Sequence, residues 1–162
     1  MDARQVPRSP TLSMEPYRRH YRVAWADLDA NGHMANTAFL DYAVETRLGC
    51  FAERGFTAGD FAAAGFGPVV QRDVVHYYKE LRFQEEFSVT FQLAGFSEDR
   101  QRMRVYNEFF RHDGALAATV RSDGVWFDLN ERRPRRPPEP LIHLLETMER
   151  TDDFALLTGP PR

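Results

Sequence analysis

The apolar residues of this chain change their spacing once, and that change restricts the folds it can adopt. From about Thr37 to Arg54 they recur every three or four residues, which predicts one helix with a wide apolar face. From Gly67 onward they recur every second residue, which predicts β-strands. A run of strands after one long helix is typical of an α+β domain in which a mainly antiparallel sheet packs on the helix.

The predicted helix has suitable residues at both ends. The side chain of Asn36 can cap its first turn, and Gly55 can adopt the left-handed backbone that ends a helix. The only cysteine, Cys50, falls inside the helix, so we expect a small buried thiol rather than a nucleophile. The expected apolar face consists of Phe39, Leu40, Ala43, Val44, Leu48 and Phe51.

Five strands are expected around this helix. The first covers Tyr17 to Ala26, with Tyr21, Val23 and Trp25 on one side. The others are expected over 68–83 with a bulge, over 87–93, over 103–109, and over 115–129 with an interruption at Ser122-Asp123-Gly124. A short extra helical turn is expected at 60–64, and His112-Asp113-Gly114 predicts a tight turn.

The two ends of the chain differ from its centre in composition. Residues 1–16 contain three prolines among polar residues, so we expect a disordered arm there. The predicted domain covers 17–131. The segment 132–162 begins with the basic, proline-rich stretch Arg132–Pro138, continues with a short helix over 139–150 and ends in a tail. One domain with tails is the expected organisation for 162 residues.

Composition and motifs argue against several classes of function. The net charge of −3 gives no general attraction to nucleic acid or anionic membranes, and four arginines within 132–136 are thin evidence for nucleic-acid binding. An apolar run of 18 residues and an apolar signal-peptide core are both missing, so we expect a cytoplasmic protein without a membrane span. The five histidines lack ligand spacing, and serine-hydrolase and phosphate-loop motifs are absent, so no metal or cofactor is expected.

The segment from Trp25 to Asn36 carries the chemistry of the chain. It places two carboxylates, Asp27 and Asp29, just before the predicted helix. The start of a helix offers free N–H groups and a partial positive charge, and a carboxylate nearby can act as base or nucleophile. From the residues alone, Asp29 fits this role or the more common one of capping a turn, and Asp27 is expected to orient the loop.

The order of the elements and this segment together resemble the hotdog-fold acyl-CoA thioesterases of the 4-hydroxybenzoyl-CoA thioesterase type. The resemblance covers residues 18–130 and differs in one place, because Ala35 stands where many relatives have an asparagine. The matching residues are Asp27-Leu28-Asp29-Ala30-Asn31-Gly32-His33, Met34-Ala35-Asn36 and Phe39-Leu40-Asp41-Tyr42, followed by Glu45 and Arg47. The resemblance implies a hotdog fold, in which a five-stranded antiparallel sheet wraps around one long central helix.

The resemblance also implies an activity, the hydrolysis of an acyl-CoA thioester to the free acid and CoA. In the family the second aspartate of the motif is the catalytic carboxylate, which corresponds to Asp29 as general base or nucleophile. The backbone amides between Gly32 and Asn36 are expected to polarise the thioester carbonyl. Members form dimers or tetramers with active sites at subunit interfaces, so a homodimer or homotetramer is expected here.

Further site residues follow from the same comparison. His33 either donates a hydrogen bond to the thioester or packs under the helix, and Asn36 can touch the substrate in addition to capping. Glu45 is the second-choice carboxylate, with an ion-paired surface position as its alternative. The expected acyl pocket contains Phe39, Tyr42, Tyr77 and Tyr78. Basic residues that could meet the CoA phosphates are Lys79, Arg82, Arg102, Arg104 and the arginines of 132–136.

Two other functions remain open at this stage. The chain can be a catalytically silent hotdog module that binds acyl-CoA, although a binder has no need of a carboxylate beside the carbonyl. It can also act on an acyl group carried by acyl carrier protein rather than by CoA. A hotdog dehydratase is less compatible with the sequence, because its differently spaced Asp/His pair is not found.

Overall fold

The computed structural model describes residues 15–159, so residues 1–14 of the predicted arm lie outside it. A 3-10 turn at Trp25–Asp27 follows the first strand. The three α helices of the described chain are α1 (Asn36–Glu53), α2 (Ala58–Ala64) and α3 (Glu139–Thr147). Its strands are β1 (Tyr17–Arg22), β2 (Phe66–Tyr77), β3 (Glu86–Phe96), β4 (Arg102–Arg111), β5 (Leu116–Asp128), β6 (Arg133–Pro134) and β7 (Arg150–Leu156).

One curled sheet contains all seven of these strands. Its main path has the order β1-β3-β4-β5-β2, and neighbouring strands along that path are antiparallel. The two-residue strand β6 pairs with the end of β5, and β7 runs parallel to β3 beyond the end of β1. The strand β2 therefore lies at one edge of the sheet, with its outer side unpaired in the described chain.

Helix α1 packs on the inner face of the sheet, mainly against β3 and β5. Aromatic side chains fill both ends of this interface. At the end where α1 finishes, Phe51 contacts the edge of the buried Trp126 ring, and at the other end Phe39 contacts Phe109. Fully burying a side chain of this size contributes about 1.5–3 kcal/mol, so these contacts fix the helix firmly on the sheet.

A β-bulge in β2 decides which of its residues face the helix. Val70 is paired with Gly124 and Arg72 with Asp123, so Gln71 is an extra residue without a partner on β5. The bulge therefore reverses the alternation of side chains along the rest of the strand. As a result Tyr77 faces the helix, in the same row as Ala118, while Arg72 faces the outer side of the sheet.

Most of the predicted elements are present, although several bounds differ. Helix α1 covers the predicted segment, α2 includes the predicted extra turn, and Cys50 is buried within α1. The sheet has two strands beyond the five predicted. Strand β2 ends at Tyr77, because the following residues turn toward β5 through amides that donate to the Ala117 carbonyl. Strand β5 is continuous through Ser122-Asp123-Gly124, since the irregularity belongs to its partner β2.

Three details of the predicted core are wrong. Trp25 is 75% exposed, because the chain leaves β1 after Arg22 and enters the 3-10 turn. Val44 and Leu48 are 43% and 39% exposed, since the buried face of α1 is rotated away from them, although it still contains Phe39 and Phe51. That face includes two polar residues, Thr46 and Arg47, which the apolar period does not reveal.

The described residues after 138 form a helix and a strand, where the sequence predicts a short helix and a tail. Helix α3 lies within the predicted helical segment and buries Leu141 and Leu145 in the core around Trp126. The residues after it form β7, with Ala155 paired to Gly95 of β3. A Cβ atom at Gly95 would stand 2.5 Å from the Ala155 carbonyl oxygen, so only glycine allows this approach. None of the described helices is both long and apolar enough to cross a membrane.

Candidate active site

The loop that carries the two aspartates is closed by backbone hydrogen bonds. Leu28 and Met34 form an isolated antiparallel bridge at its base. Inside the bridge, the Asp29 amide donates to the His33 carbonyl at 2.9 Å, and the Gly32 amide donates to the Asp29 carbonyl at 3.1 Å. Gly32 has a φ of +72°, a left-handed conformation that glycine adopts at little cost. The loop is thus a tight, defined turn.

The Asp29 side chain is exposed at this turn and also holds it. Its Oδ1 accepts hydrogen bonds from the backbone amides of Asn31 at 2.8 Å and His33 at 3.3 Å. This is the turn-capping arrangement that Asp favours. Asp29 therefore has the structural role of capping this turn. Because the residue is exposed, its carboxylate is also accessible to a substrate, and the role of base or nucleophile is compatible with the structure.

Asp27 anchors the loop to α1. Its Oδ2 accepts hydrogen bonds from the Ala24 amide at 2.9 Å and from the Tyr42 hydroxyl at 2.6 Å. Burial, followed by the hydrogen bond to Asp27, raises the pKa of Tyr42 well above its usual range, so the hydroxyl remains a donor at neutral pH. Asp27 has the structural role that the sequence predicts. Tyr42 is predicted to line the acyl pocket, but in the structure its hydroxyl group orients this aspartate through a hydrogen bond.

The rest of the loop is fixed to the turn between β2 and β3. The Met34 amide donates to the Leu81 carbonyl at 2.7 Å, and the half-buried His33 forms an isolated backbone bridge with Arg82. The Ala35 amide donates to the Asp27 carbonyl at 2.7 Å. These bonds hold Asp29 at one end of α1.

The start of α1 lacks a side-chain cap. Ala35 occupies the N-cap position and has no side chain that can accept an amide hydrogen bond. The predicted cap at Asn36 is wrong by one residue, because the turn of the chain at Ala35 makes Asn36 the first residue of the helix. The partial positive charge of the helix end and its first amides are therefore available to a ligand oxygen beside the loop.

Aromatic residues lie at the same end of α1. Tyr77 donates a hydrogen bond from its hydroxyl to the Asn36 carbonyl at 3.0 Å, and its ring contacts the edge of Phe39 with centroids 5.3 Å apart. Tyr77 is 49% exposed, whereas Phe39 is buried beneath it. Tyr78 is separate from this group, because its ring lies beside His76 on the outer face of the sheet.

Within residues 15–159, none of the predicted basic residues forms an ion pair with Asp29. Arg82 is exposed, and its guanidinium is 3.2 Å from the Glu80 carboxylate, while Lys79 is exposed at the turn after β2. Glu45 is exposed at 3.9 Å from Arg19. Glu45 is nine residues beyond the start of α1, which corresponds to a rise of about 13 Å along the helix axis. Within one chain, Glu45 is therefore too far along the helix to share a site with Asp29.

Two features of this region escape the sequence analysis. Trp25 and Phe83 form an exposed edge-to-face pair with centroids 5.6 Å apart, and the alternation of β1 wrongly assigns Trp25 to the core. Arg47 is buried and donates to Asn107 Oδ1 and Ser122 Oγ, both at 2.8 Å. Burial lowers the pKa of Arg47 to about 10, which still leaves it charged at neutral pH. Its place in the family motif is the only sequence signal that marks it.

The comparisons with known proteins agree with this geometry. Residues 23–145 match the family model of the thioesterase-like superfamily, whereas no curated protein matches the chain. A hypothetical protein from Staphylococcus aureus, solved in complex with CoA, superposes with a TM-score of 0.74 at 16% identity, covering 94% of this chain and 100% of that one.

Two further solved structures are similar. A 1,4-dihydroxy-2-naphthoyl-CoA thioesterase from Synechocystis has a TM-score of 0.74 at 15% identity, covering 85% of this chain and 100% of that one. A DHNA-CoA thioesterase from Staphylococcus aureus has a TM-score of 0.73 at 21% identity, covering 80% and 87%. The predicted hotdog-like α+β fold, with its curled antiparallel sheet, is confirmed. The family match covers most of the chain, so this protein belongs to the thioesterase-like superfamily.

Proposed function

We propose that this protein hydrolyses an acyl-CoA thioester to the free carboxylic acid and CoA, with Asp29 as its catalytic carboxylate. The observation that carries the proposal is the position of Asp29. The carboxylate is exposed, it is held by two backbone amides, and it belongs to the loop that leads directly into the uncapped start of α1. A carbonyl oxygen at the helix end would therefore meet amides while its carbon faces a carboxylate.

Two chemical routes fit this arrangement. As general base, Asp29 takes a proton from water, the resulting hydroxide adds to the thioester carbon, and the proton passes to the departing CoA sulfur. As nucleophile, Asp29 adds to the carbon itself and expels the CoA thiolate, leaving a mixed anhydride that water then hydrolyses. In both routes negative charge develops on the carbonyl oxygen, where the first amides of α1 would stabilise it.

The other site residues have supporting roles in this proposal. Gly32 leaves the tip of the loop open, since no atom lies within 4 Å of the place where a Cβ would stand. His33 and Asn36 adjoin the reacting group, and Tyr77 presents its exposed ring to the acyl group with Phe39 beneath it. We place Lys79 and Arg82 at the rim of this site, and assign Tyr42 to the support of the loop through Asp27.

We also propose that a second copy of the chain completes the site. Asp29 and Tyr77 are both exposed in the single chain, so neither is shielded from bulk water. Exclusion of water strengthens the electrostatic interactions on which such a site depends. The unpaired edge of β2 ends at Tyr77, so a copy bound along this edge would cover that tyrosine.

The test is the release of CoA thiol from a panel of acyl-CoAs, from acetyl to long-chain and aromatic, by wild type and by Asp29→Asn. Asparagine keeps an oxygen that can accept both amide bonds but is neither base nor nucleophile, so we expect turnover to fall about 100-fold or more. Asp152→Asn is the matched control, because Asp152 is an exposed aspartate on β7 away from the loop.

Three results would contradict the assignment. Full turnover by Asp29→Asn, with loss in Glu45→Gln, would transfer the catalytic role to Glu45. Tight binding of acyl-CoA without turnover by wild type would favour a silent binding module, and turnover of acyl carrier protein substrates alone would change the carrier. Circular dichroism and size-exclusion chromatography of each variant would separate loss of chemistry from loss of structure.

A further inference from the structure

The turn between β2 and β3 holds the entrance of the loop that carries Asp29. We call this turn, residues 81–85, the clamp turn, and we call the loop the Asp29 loop. Val23 lies between β1 and the Asp29 loop. Its amide donates a hydrogen bond to the Glu85 carbonyl, and its carbonyl accepts one from the Gln84 amide, both at 3.0 Å. This reciprocal pair joins the chain that enters the loop to the clamp turn, so a shift of one would move the other.

The clamp turn also holds the exit of the Asp29 loop. The Met34 amide donates to the Leu81 carbonyl at 2.7 Å, and His33 forms a backbone bridge with Arg82. The chain then enters α1, whose first amides belong to the proposed site. Because both ends of the loop are bound to the clamp turn, the position of this turn determines where Asp29 lies relative to the start of α1.

The side chain of Glu85 closes the clamp turn. Its Oε2 accepts a hydrogen bond from the Arg82 amide at 3.0 Å, and the Glu85 amide donates to the Arg82 carbonyl, also at 3.0 Å. Between these residues, Gln84 has a φ of +63°, a left-handed conformation that residues other than glycine rarely adopt. Such a conformation persists only where neighbouring contacts hold it, and the Glu85 carboxylate supplies one of these contacts.

The other carboxylate oxygen of Glu85 connects the clamp turn to the hairpin between β4 and β5. Glu85 Oε1 lies 2.9 Å from Arg111 Nε and 3.6 Å from His112 Nδ1. The side chains of Glu85 and Arg111 are 11% and 26% exposed, so this ion pair is screened less than a surface pair. Asp113 is farther from Arg111 Nε, at 3.8 Å. The Arg111 amide donates to the Ala115 carbonyl at 2.9 Å, so the arginine belongs to a hydrogen-bonded part of the sheet.

We propose that Glu85 is a positioning residue for thioester hydrolysis, and that it places Asp29 through its ion pair with Arg111. This inference rests on the proposed function, because it assumes that Asp29 is the catalytic carboxylate. Reaction rates depend steeply on the alignment of the reacting groups, and a displacement of about 1 Å can cost about 100-fold. The ring of Tyr77 is fixed separately, by the hydrogen bond from its hydroxyl to the Asn36 carbonyl. Loss of the ion pair should therefore lower kcat and leave KM nearly unchanged.

The kinetic test compares Glu85→Gln, Arg111→Gln and the double variant with wild type. Glutamine at 85 keeps an oxygen that can accept the Arg82 amide but removes the charge that attracts Arg111. Each single variant should lower kcat about tenfold and change KM by less than about twofold. The double variant should lose no more than either single variant, because both remove the same ion pair. Glu86→Gln is the matched control, since Glu86 is the adjacent glutamate and forms an exposed pair with Arg22.

Hydrogen exchange measured by NMR gives a second readout that does not require turnover. The Asn31 and His33 amides should exchange about tenfold faster in Glu85→Gln than in wild type or Glu86→Gln, while the amides of β3 and α1 keep their rates. Unchanged exchange in the Asp29 loop, or full kcat in Glu85→Gln, would overturn the proposal. Faster exchange throughout the chain would show a general loss of stability and would also overturn it. Faster exchange confined to the loop, in a protein without thioesterase activity, would support the placement of Asp29 by Glu85 and contradict the proposed hydrolysis.

Discussion

The Asp29 side chain combines a structural task with the proposed chemical one, and two substitutions separate them. Asparagine can still accept the amides of Asn31 and His33, whereas alanine leaves both amides without this partner. We expect Asp29→Ala to lower the free energy of unfolding by about 1–2 kcal/mol and Asp29→Asn to lower it by less than half of that. Urea denaturation measures both changes. Equal destabilisation by the two variants would show that the carboxylate charge holds the turn.

Cys50 allows a test of the core at the residue scale. The thiol is fully buried, and burial raises the pKa of Cys50 to about 12. Since the neutral thiol is favoured in the folded state, its contribution to stability is present below about pH 9 and is lost as pH rises toward 12. At pH 8 a thiol reagent should react with the native protein at least about 100-fold more slowly than with the protein in denaturant. Comparable rates would mean that α1 opens readily.

Some residues of the site follow from the sequence and others do not. The residue types of Asp27, Asp29 and Gly32 predict a turn before a helix, and this turn is present. Asn36 also has a suitable residue type for a cap, but a cap depends on where the chain enters the helix, and Ala35 takes that position. Trp25 fits the alternation of β1, yet the chain has already turned away before it. Local composition predicts that a turn exists, whereas its exact register depends on distant contacts such as Met34 with Leu81.

At the scale of elements, periodicity predicts those elements that bury one apolar face. Strands β3 and β4 and helix α1 follow from their apolar spacing. Strand β7 does not, because its exposed residues Asp152 and Asp153 resemble a loop and its place depends on Gly95 of β3. The inward position of Arg47 is equally hidden, since its partners Asn107 and Ser122 are 60 and 75 residues away in the chain.

Gly95 tests whether β7 is an integral part of the sheet. A methyl group at Gly95 would stand 2.5 Å from the Ala155 carbonyl oxygen, so β7 would have to move. Gly95→Ala should lower the free energy of unfolding by about 1–3 kcal/mol and speed hydrogen exchange in β7. The matched control is Gly67→Ala on β2, where nothing lies within 4 Å of the added Cβ. Equal stability of the two variants would show that β7 pairs weakly with β3.

For the whole molecule, the sequence predicts the class of fold but does not predict which strand forms the edge of the sheet. The expected hotdog-like sheet and helix are present, because the apolar face of the predicted helix and the apolar face of the predicted sheet can each be buried against the other. The free edge of β2 becomes apparent only from the strand order, which places this strand last. Val69, Val70 and Tyr77 of β2 are all substantially exposed, so this edge combines apolar side chains with a backbone that has no strand partner within residues 15–159. Natural proteins cover or interrupt such edges, and here no proline follows Pro68 within the strand.

This edge leads to a prediction about assembly. If two copies pair along β2, light scattering should show a dimer or a multiple of it, and Val70→Lys should shift the protein toward monomer because two lysines would face one buried seam. Leu129→Lys is the control, since Leu129 is similarly exposed just after β5. Thioester hydrolysis should fall together with dimer content in Val70→Lys and remain in Leu129→Lys, because the proposed site needs the second copy to exclude water. A wild-type monomer with full activity would contradict this prediction. It would show that the Asp29 loop is active while exposed to solvent and that hydrolysis does not need pairing along β2.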